Sequence, residues 1–184
     1  MIPRRIKLKG FMSFRDETEI SFNGSSLWVL TGANAAGKSA IFDAIAFALY
    51  GVRRTNSNDI GLSNTSQQKE LINHQASNLE VEFEFALGEK VFCAKRTLPK
   101  RGRSGFEIRP IDSPPISGTE YEAGFDAWVK ENIGLDAKAF SAAVLLGQGK
   151  TDALLCHKPQ ARHNILSQII DISAYERLHL RAAR

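Results

Sequence analysis

A chain of 184 residues holds one domain, or one domain and the start of a second. With 43% hydrophobic and 24% charged residues it has ordinary globular composition, which excludes collagen-like, mucin-like and wholly disordered chains. The net charge of +4 is unevenly placed: Lys95, Arg96, Lys100, Arg101, Arg103 and Arg109, against Glu107 alone, make a window of +5 and leave the rest at −1.

Ile6 and Leu8 alternate with Lys7 and Lys9 and predict a half-exposed strand, with Ile20 and Phe22 on its partner. Leu27-Trp28-Val29-Leu30 is a short continuous apolar run, as in a buried strand, and places Trp28 in the core. The next residues, 31–39, read Thr-Gly-Ala-Asn-Ala-Ala-Gly-Lys-Ser. A helix-period segment follows, with Ile41, Phe42, Ile45 and Leu49 on one face and Gly51 at its C-terminal end. Residues 53–68 are rich in Asn, Ser and Thr and predict a loop. Leu79, Val81, Phe83 and Phe85 alternate with Glu80, Glu82 and Glu84, the clearest strand signal in the chain. Gly88-Glu89 turns it into a hairpin partner, Val91–Arg96. A Pro/Gly/basic loop at 99–105 and a strand at Phe106–Ile111 come next, then a second loop at Asp112–Gly118. Phe125–Ile133 predicts a helix, and Ala142–Leu146 is apolar and short. Pro159 suits the first turn of a helix to Ile170, and Ser173-Ala-Tyr-Glu176 is a capping box for a last helix still running at Arg184.

No run of 18 apolar residues predicts a membrane span, and the N-terminus has no apolar signal region. Cys93 and Cys156 form no CxxC, which fits a reduced, cytoplasmic chain. His74, His157, His163 and His179 have no ligand spacing with them, so no zinc site is expected.

Gly32-x-x-x-x-Gly37-Lys38-Ser39 matches the P-loop pattern, between an apolar strand and a helix as that motif requires. Glycines let backbone N–H groups close around phosphate oxygens, and the helix start aims its positive end at the same anion. Lys38 would reach the β- and γ-phosphates of ATP, and the Ser39 hydroxyl would ligate Mg²⁺. The loop from Gly32 through Asn34, Ala35, Ala36 and Gly37 to Ala40 forms the candidate cradle. Hydrolysis also needs a carboxylate on a second strand. No four apolar residues followed by an acid pair occur; Asp171 falls in a helical pattern and Asp43 reads as structural. The chain therefore carries half of an NTPase site.

These residues resemble a known family. Ile6–Phe11, Ser25–Ser39 and Asp43-Ala44-Ile45 are similar to the N-terminal segment of SMC-like ATPases, above all the SbcC family and its Rad counterpart in double-strand-break repair. Tyr50-Gly51 matches the ending of the family's P-loop helix. Leu145-Leu146-Gly147-Gln148-Gly149, then Ala153-Leu154-Leu155, resembles its Q-loop. Arg162–Tyr175 resembles the lead into its coiled coil. The resemblance spans nearly the whole chain and is weakest at 52–70 and 97–135. Two departures stand out: Ala35 replaces a usual Gly, and Met12 a usual Arg, so no nucleotide contact of that Arg carries over.

The resemblance implies an α/β fold: the N-terminal lobe of an ABC-type P-loop NTPase head, with mixed and antiparallel sheets and a helical C-terminal part. It assigns 1–170 to that lobe and 171–184 to the start of a coiled-coil helix. On spacing alone Gln148 reads as an ordinary glutamine; the resemblance makes it a catalytic residue that bridges Mg²⁺ and the attacking water, beside Lys38. Asn73 and His74 fall where relatives place residues near the adenine. Implied partners are the chain's own C-terminal lobe with Walker B and signature motifs, a second head in an ATP-bound dimer, an SbcD-type nuclease and double-stranded DNA, in a cytoplasmic, nucleoid-associated setting. DNA would meet Lys95, Arg96, Lys100, Arg101 and Arg103, with Arg4, Arg5, Lys7 and Lys9 as a second row; the other account of the window is a solvated hairpin tip. Other readings are an SMC-like ATPase of RecN, RecF or chromosome-organising type, an unrelated P-loop kinase, or a nucleic-acid-binding domain with a vestigial P-loop.

Overall fold

The computed structural model describes residues 1–22, 25, 27–34, 36–52, 68–145 and 166–167. Among the described residues the named elements are five strands and three helices: β1 (Ile2–Lys9), β2 (Thr18–Ser21), α1 (Lys38–Tyr50), β3 (Asn78–Leu87), β4 (Lys90–Pro99), β5 (Gly105–Pro110), α2 (Glu122–Ile133) and α3 (Ala137–Ala143). The strands make one sheet, β2-β1-β3-β4-β5, and every pairing is antiparallel. The mixed sheet expected around the P-loop is not formed among the described residues. Leu27–Leu30 is not a strand; Leu27 is 78% and Val29 75% exposed.

The period-2 pattern of β3 decides the sheet's two faces. Leu79, Val81, Phe83 and Phe85 are fully buried, and they stand beside Leu98, Arg96, Ala94 and Phe92 of β4 in register. Ile6 and Leu8 of β1 and Ile108 of β5 complete this face. It carries α1, whose Ile41, Ile45 and Leu49 are buried as expected, whereas Phe42 is 41% exposed. Burial of Ala44, Ala46, Phe47 and Ala48 as well makes α1 a core helix covered on nearly all sides rather than an amphipathic surface helix. Gly51 ends it in the left-handed conformation (φ 66°), its N–H donating to the Phe47 carbonyl at 2.8 Å. Phe125 and Val129, one turn apart on α2, close the core from the β5 side, with the Phe125 ring 5.9 Å from that of Phe106. The sequence pattern placed only an apolar stretch near α3; the side chain of Asp136 caps that helix by accepting from the Ala139 N–H at 2.8 Å.

The other face is a charge ladder. Arg5 pairs with Glu19 at 3.0 Å and with Glu84, Lys7 with Glu17 at 3.0 Å, Lys95 with Glu80 at 3.0 Å and Glu82 at 2.9 Å, and Arg109 with Glu107 at 3.1 Å. Burial works to raise the Glu82 carboxyl, but the hydrogen bond and charge of Lys95, with Lys7 and Arg5, outweigh it and hold the pKa below the ordinary range. This contribution to stability is complete above the usual carboxylate value of 4.5 and fades as pH falls through the lower folded value. Cys93 stands on this face between Glu84 and Arg109 in register yet is only 1% exposed, and burial pushes its thiol up to about 11.

The ladder corrects the reading of the basic window. Lys95 is neutralised by two glutamates, and Arg96 is 3% exposed on the core face. Arg96 is no DNA contact: strand parity turns it inward beside Val81 and Phe106. Lys100, Arg101 and Arg103, at the β4–β5 turn, are exposed.

Candidate nucleotide-binding site

The P-loop rests on the N-terminus of α1. Gly37 is the N-cap residue, in the left-handed region at φ 88°, and offers the helix no side-chain cap. No acidic residue lies in the first turn. The N-terminal end thus keeps its positive electrostatic character for an outside anion. Gly32 has φ 150°, and a turn bond from the Ala36 N–H to the Ala33 carbonyl (3.3 Å) shapes the loop between. Lys38 reaches back across it, and its ammonium donates to the carbonyls of Gly32 at 2.8 Å and Ala33 at 2.6 Å. It braces the loop and holds a positive charge beside the helix start. Ser39 is exposed on the first turn. An uncapped helix end, one cation and one hydroxyl are a donor set that fits a phosphate chain with a divalent cation, and among the described residues no His/Cys/Asp/Glu group rivals it as a metal site.

A second segment closes on this loop. Phe11 and Phe14 exchange backbone hydrogen bonds of 2.9 and 2.8 Å, which makes Met12-Ser13 a two-residue turn, with Met12 at φ 48°. The turn lies against Gly37: a Cβ there would stand 2.5 Å from Ser13 Oγ and 3.2 and 3.3 Å from the Phe14 ring. The sequence reading missed Ser13 and Phe14, since nothing local ties residue 13 to residue 37.

The other expected residues are dispersed. Asn34 is an exposed turn residue, Ala40 is buried inside α1, and Ala35 and Gln148 lie outside the described residues. Asp43 is buried in α1, as its structural reading requires. The Asn73 amide donates to the Met12 carbonyl at 2.6 Å and its oxygen accepts from the Gln75 N–H at 3.0 Å. His74 is exposed, and its carbonyl receives the Lys100 ammonium at 3.0 Å. Trp28 is not core: it is 47% exposed, its indole N–H donates to the Ser25 carbonyl at 3.2 Å, and its ring meets Phe22 edge-on. The Tyr50 hydroxyl, also missed from sequence, donates to the Leu135 carbonyl at 3.0 Å and ties the end of α1 to the start of the α3 region.

Known proteins resemble the chain along nearly its whole length. The chain is 31% identical over 179 residues to the "DNA double-strand break repair Rad50 ATPase" of Thermoplasma acidophilum, covering 96% of this chain and 18% of that protein. It is 30% identical over 191 residues to the SbcC component of the SbcCD nuclease of Deinococcus radiodurans, covering all of this chain and 20% of the relative. The chain therefore spans about a fifth of the length of these relatives. Among solved structures, one described as "Crystal structure of the SmcHead bound to the C-winged helix domain of ScpA" superposes with a TM-score of 0.65 at 20% identity, over 92% of this chain and 51% of that one. Another, "Structural biochemistry of ATP-driven dimerization and DNA stimulated activation of SMC ATPases", gives 0.60 at 20% identity, over 92% and 99%. Both show a shared fold. A family profile described as "AAA domain" matches residues 5–183, and the chain belongs to that AAA domain family.

Proposed function

We propose that this chain is the N-terminal lobe of an ATPase head acting in DNA double-strand-break repair, binding Mg-ATP at the P-loop. The observation that carries the reading is the uncapped, acid-free N-terminus of α1 with Lys38 folded over the loop that leads into it. Bound there, ATP and Mg²⁺ would supply the phosphoanhydride and the charge that polarises it. The chain's own parts are backbone N–H groups around the phosphates, Lys38 against the β- and γ-phosphates, and Ser39 on the cation, with Gln148 assigned to the cation by resemblance. The names of the Rad50 and SbcC relatives supply the repair context.

A second lobe is the natural cover for Leu27 and Val29, which lie exposed just before the P-loop. That lobe would bring the missing carboxylate, and ATP-bound pairing of two heads and an SbcD-type nuclease complete the proposed assembly. Residues 171–184 are proposed to begin its coiled coil. Calorimetry tests the first step: the 184-residue chain binds Mg-ATP and hydrolyses it negligibly, and Lys38→Ala abolishes binding while leaving the melting transition in place. Rapid turnover by the chain alone contradicts the divided site, and unchanged affinity in Lys38→Ala contradicts the P-loop assignment.

Duplex DNA is proposed to meet the β4–β5 turn, where Arg101 and Arg103 are exposed and have no carboxylate partner among the described residues. Arg101→Glu/Arg103→Glu weakens duplex binding and lowers the log–log salt slope by about 2, roughly 0.9 for each phosphate no longer neutralised. Lys95→Glu removes a cation already paired with Glu80 and Glu82 and leaves that slope in place. Filter binding across a salt series distinguishes the two, and equal slopes for all variants return the turn to a solvated tip.

A further inference from the structure

The Met12-Ser13 turn is held by residues some sixty positions away. The Met12 N–H donates to the Leu71 carbonyl at 2.7 Å, Phe11 bridges to Ile72, and the Asn73 N–H donates to the Gly10 carbonyl at 2.8 Å. The Asn73 side chain completes the tether through the Met12 carbonyl, and its oxygen is fixed by the Gln75 N–H in an Asx turn. Met12 needs such support, because its φ of 48° lies in the left-handed region that L side chains disfavour. The opposite side of the turn presses Ser13 and Phe14 on Gly37, the N-cap of α1.

We propose that Asn73 is a positioning residue for phosphate binding: by holding the Met12 carbonyl it sets how closely Ser13 and Phe14 seat the P-loop at Gly37. The inference rests on the nucleotide-binding reading and changes the part Asn73 plays in it. Both ends of its amide already serve backbone partners, so it acts through the turn and not on the adenine. The seat matters because phosphate N–H contacts depend on the backbone position of the residues that open α1.

Asn73→Ser separates the tether from local folding. A serine hydroxyl still caps the Gln75 N–H but is too short to reach Met12. In the 184-residue chain, Asn73→Ser and Asn73→Ala are each expected to weaken Mg-ATP binding about fivefold to tenfold by calorimetry, the effect of one missing hydrogen bond transmitted to the site. Amide exchange at Phe11, Met12 and Phe14 speeds up while Val81 and Phe83 stay slow. Thr119→Val, which removes a buried hydroxyl accepting from the Ile108 N–H at the far sheet edge, lowers stability and leaves the affinity as it was. Wild-type affinity in Asn73→Ser with a loosened turn overturns the proposal, as does an equal affinity loss in Thr119→Val. Lys38→Ala with undiminished affinity would instead overturn the nucleotide reading itself.

Discussion

Arg96→Leu lowers the unfolding free energy of the chain by about 3–5 kcal/mol, measured by urea denaturation. Arg96 stands on the apolar face of β4 and is 3% exposed, yet its guanidinium is bonded along one edge and covered by rings. Nε donates to the Ala48 carbonyl at 3.1 Å, and Nη2 donates to the Leu49 carbonyl at 3.1 Å and to Asp126 of α2 at 2.7 Å. The rings of Phe106 and Phe125 lie 5.1 and 4.2 Å from its central carbon. α1 has no basic residue in its last turn, so Arg96 is the cation at the negative end of that helix, supplied from a strand. Burial pulls its pKa down and Asp126 opposes the shift, but a guanidinium stays charged at any working pH. Leucine restores apolar volume and leaves two buried carbonyls without a donor, at about 1–3 kcal/mol each. It also loses the cation–π contacts with the two rings, about 2 kcal/mol when desolvated.

The partners rank the causes. Asp126 is half exposed, so Asp126→Ala costs only about 1 kcal/mol, with water replacing the absent partner. Arg96→Lys keeps the charge but cannot serve both carbonyls and the carboxylate from one plane, and falls between. An Asp126→Ala loss as large as that of Arg96→Leu would show that the ion pair, and not the clamp on α1, holds this corner.

Arg96 also shows where sequence legibility ends. Counting charge between Lys95 and Arg109 put it on an exposed surface, as a DNA contact or part of a solvated tip. The alternation that made β3 plain already placed Arg96 with Phe92, Ala94 and Leu98 and opposite Lys95. Parity was the stronger signal, because a strand's faces are fixed by period 2 whatever the composition of its window. The P-loop, the Gly51 end of α1 and the β3–β4 hairpin were legible because each is set by residues close in sequence. Trp28 was misplaced for the converse reason: an apolar run says that a surface wants cover, not that the same chain segment supplies it. The tether from Asn73 had no signal at all, since its partner Met12 lies 61 residues away and polar tertiary contacts leave no local period.

Gly37→Ala costs on the order of 10²-fold in Mg-ATP affinity, from about 2–4 kcal/mol at the loop's anchoring residue. Two separate effects meet there. At φ 88° an L side chain is strained by about 1–2 kcal/mol. The new Cβ would also lie 2.5 Å from Ser13 Oγ and within 3.3 Å of the Phe14 ring, so the turn or the helix start must shift. Ser13→Gly removes the nearer obstacle and leaves the dihedral strain. Ser13→Gly in the Gly37→Ala background therefore recovers part of the affinity, about 1 kcal/mol of coupling in the double-mutant cycle, and never all of it. Lys38→Ala behaves differently, since it removes the charge and the brace on the Gly32 and Ala33 carbonyls but leaves the seat of Gly37 against Ser13 and Phe14 as it was. Affinity lost in Gly37→Ala and partly regained with Ser13→Gly would place the control of phosphate binding in the fit between two segments of backbone, with Lys38 acting on the ligand that this fit admits. Additive effects of the two substitutions would show that the turn and the loop are neighbours without being coupled.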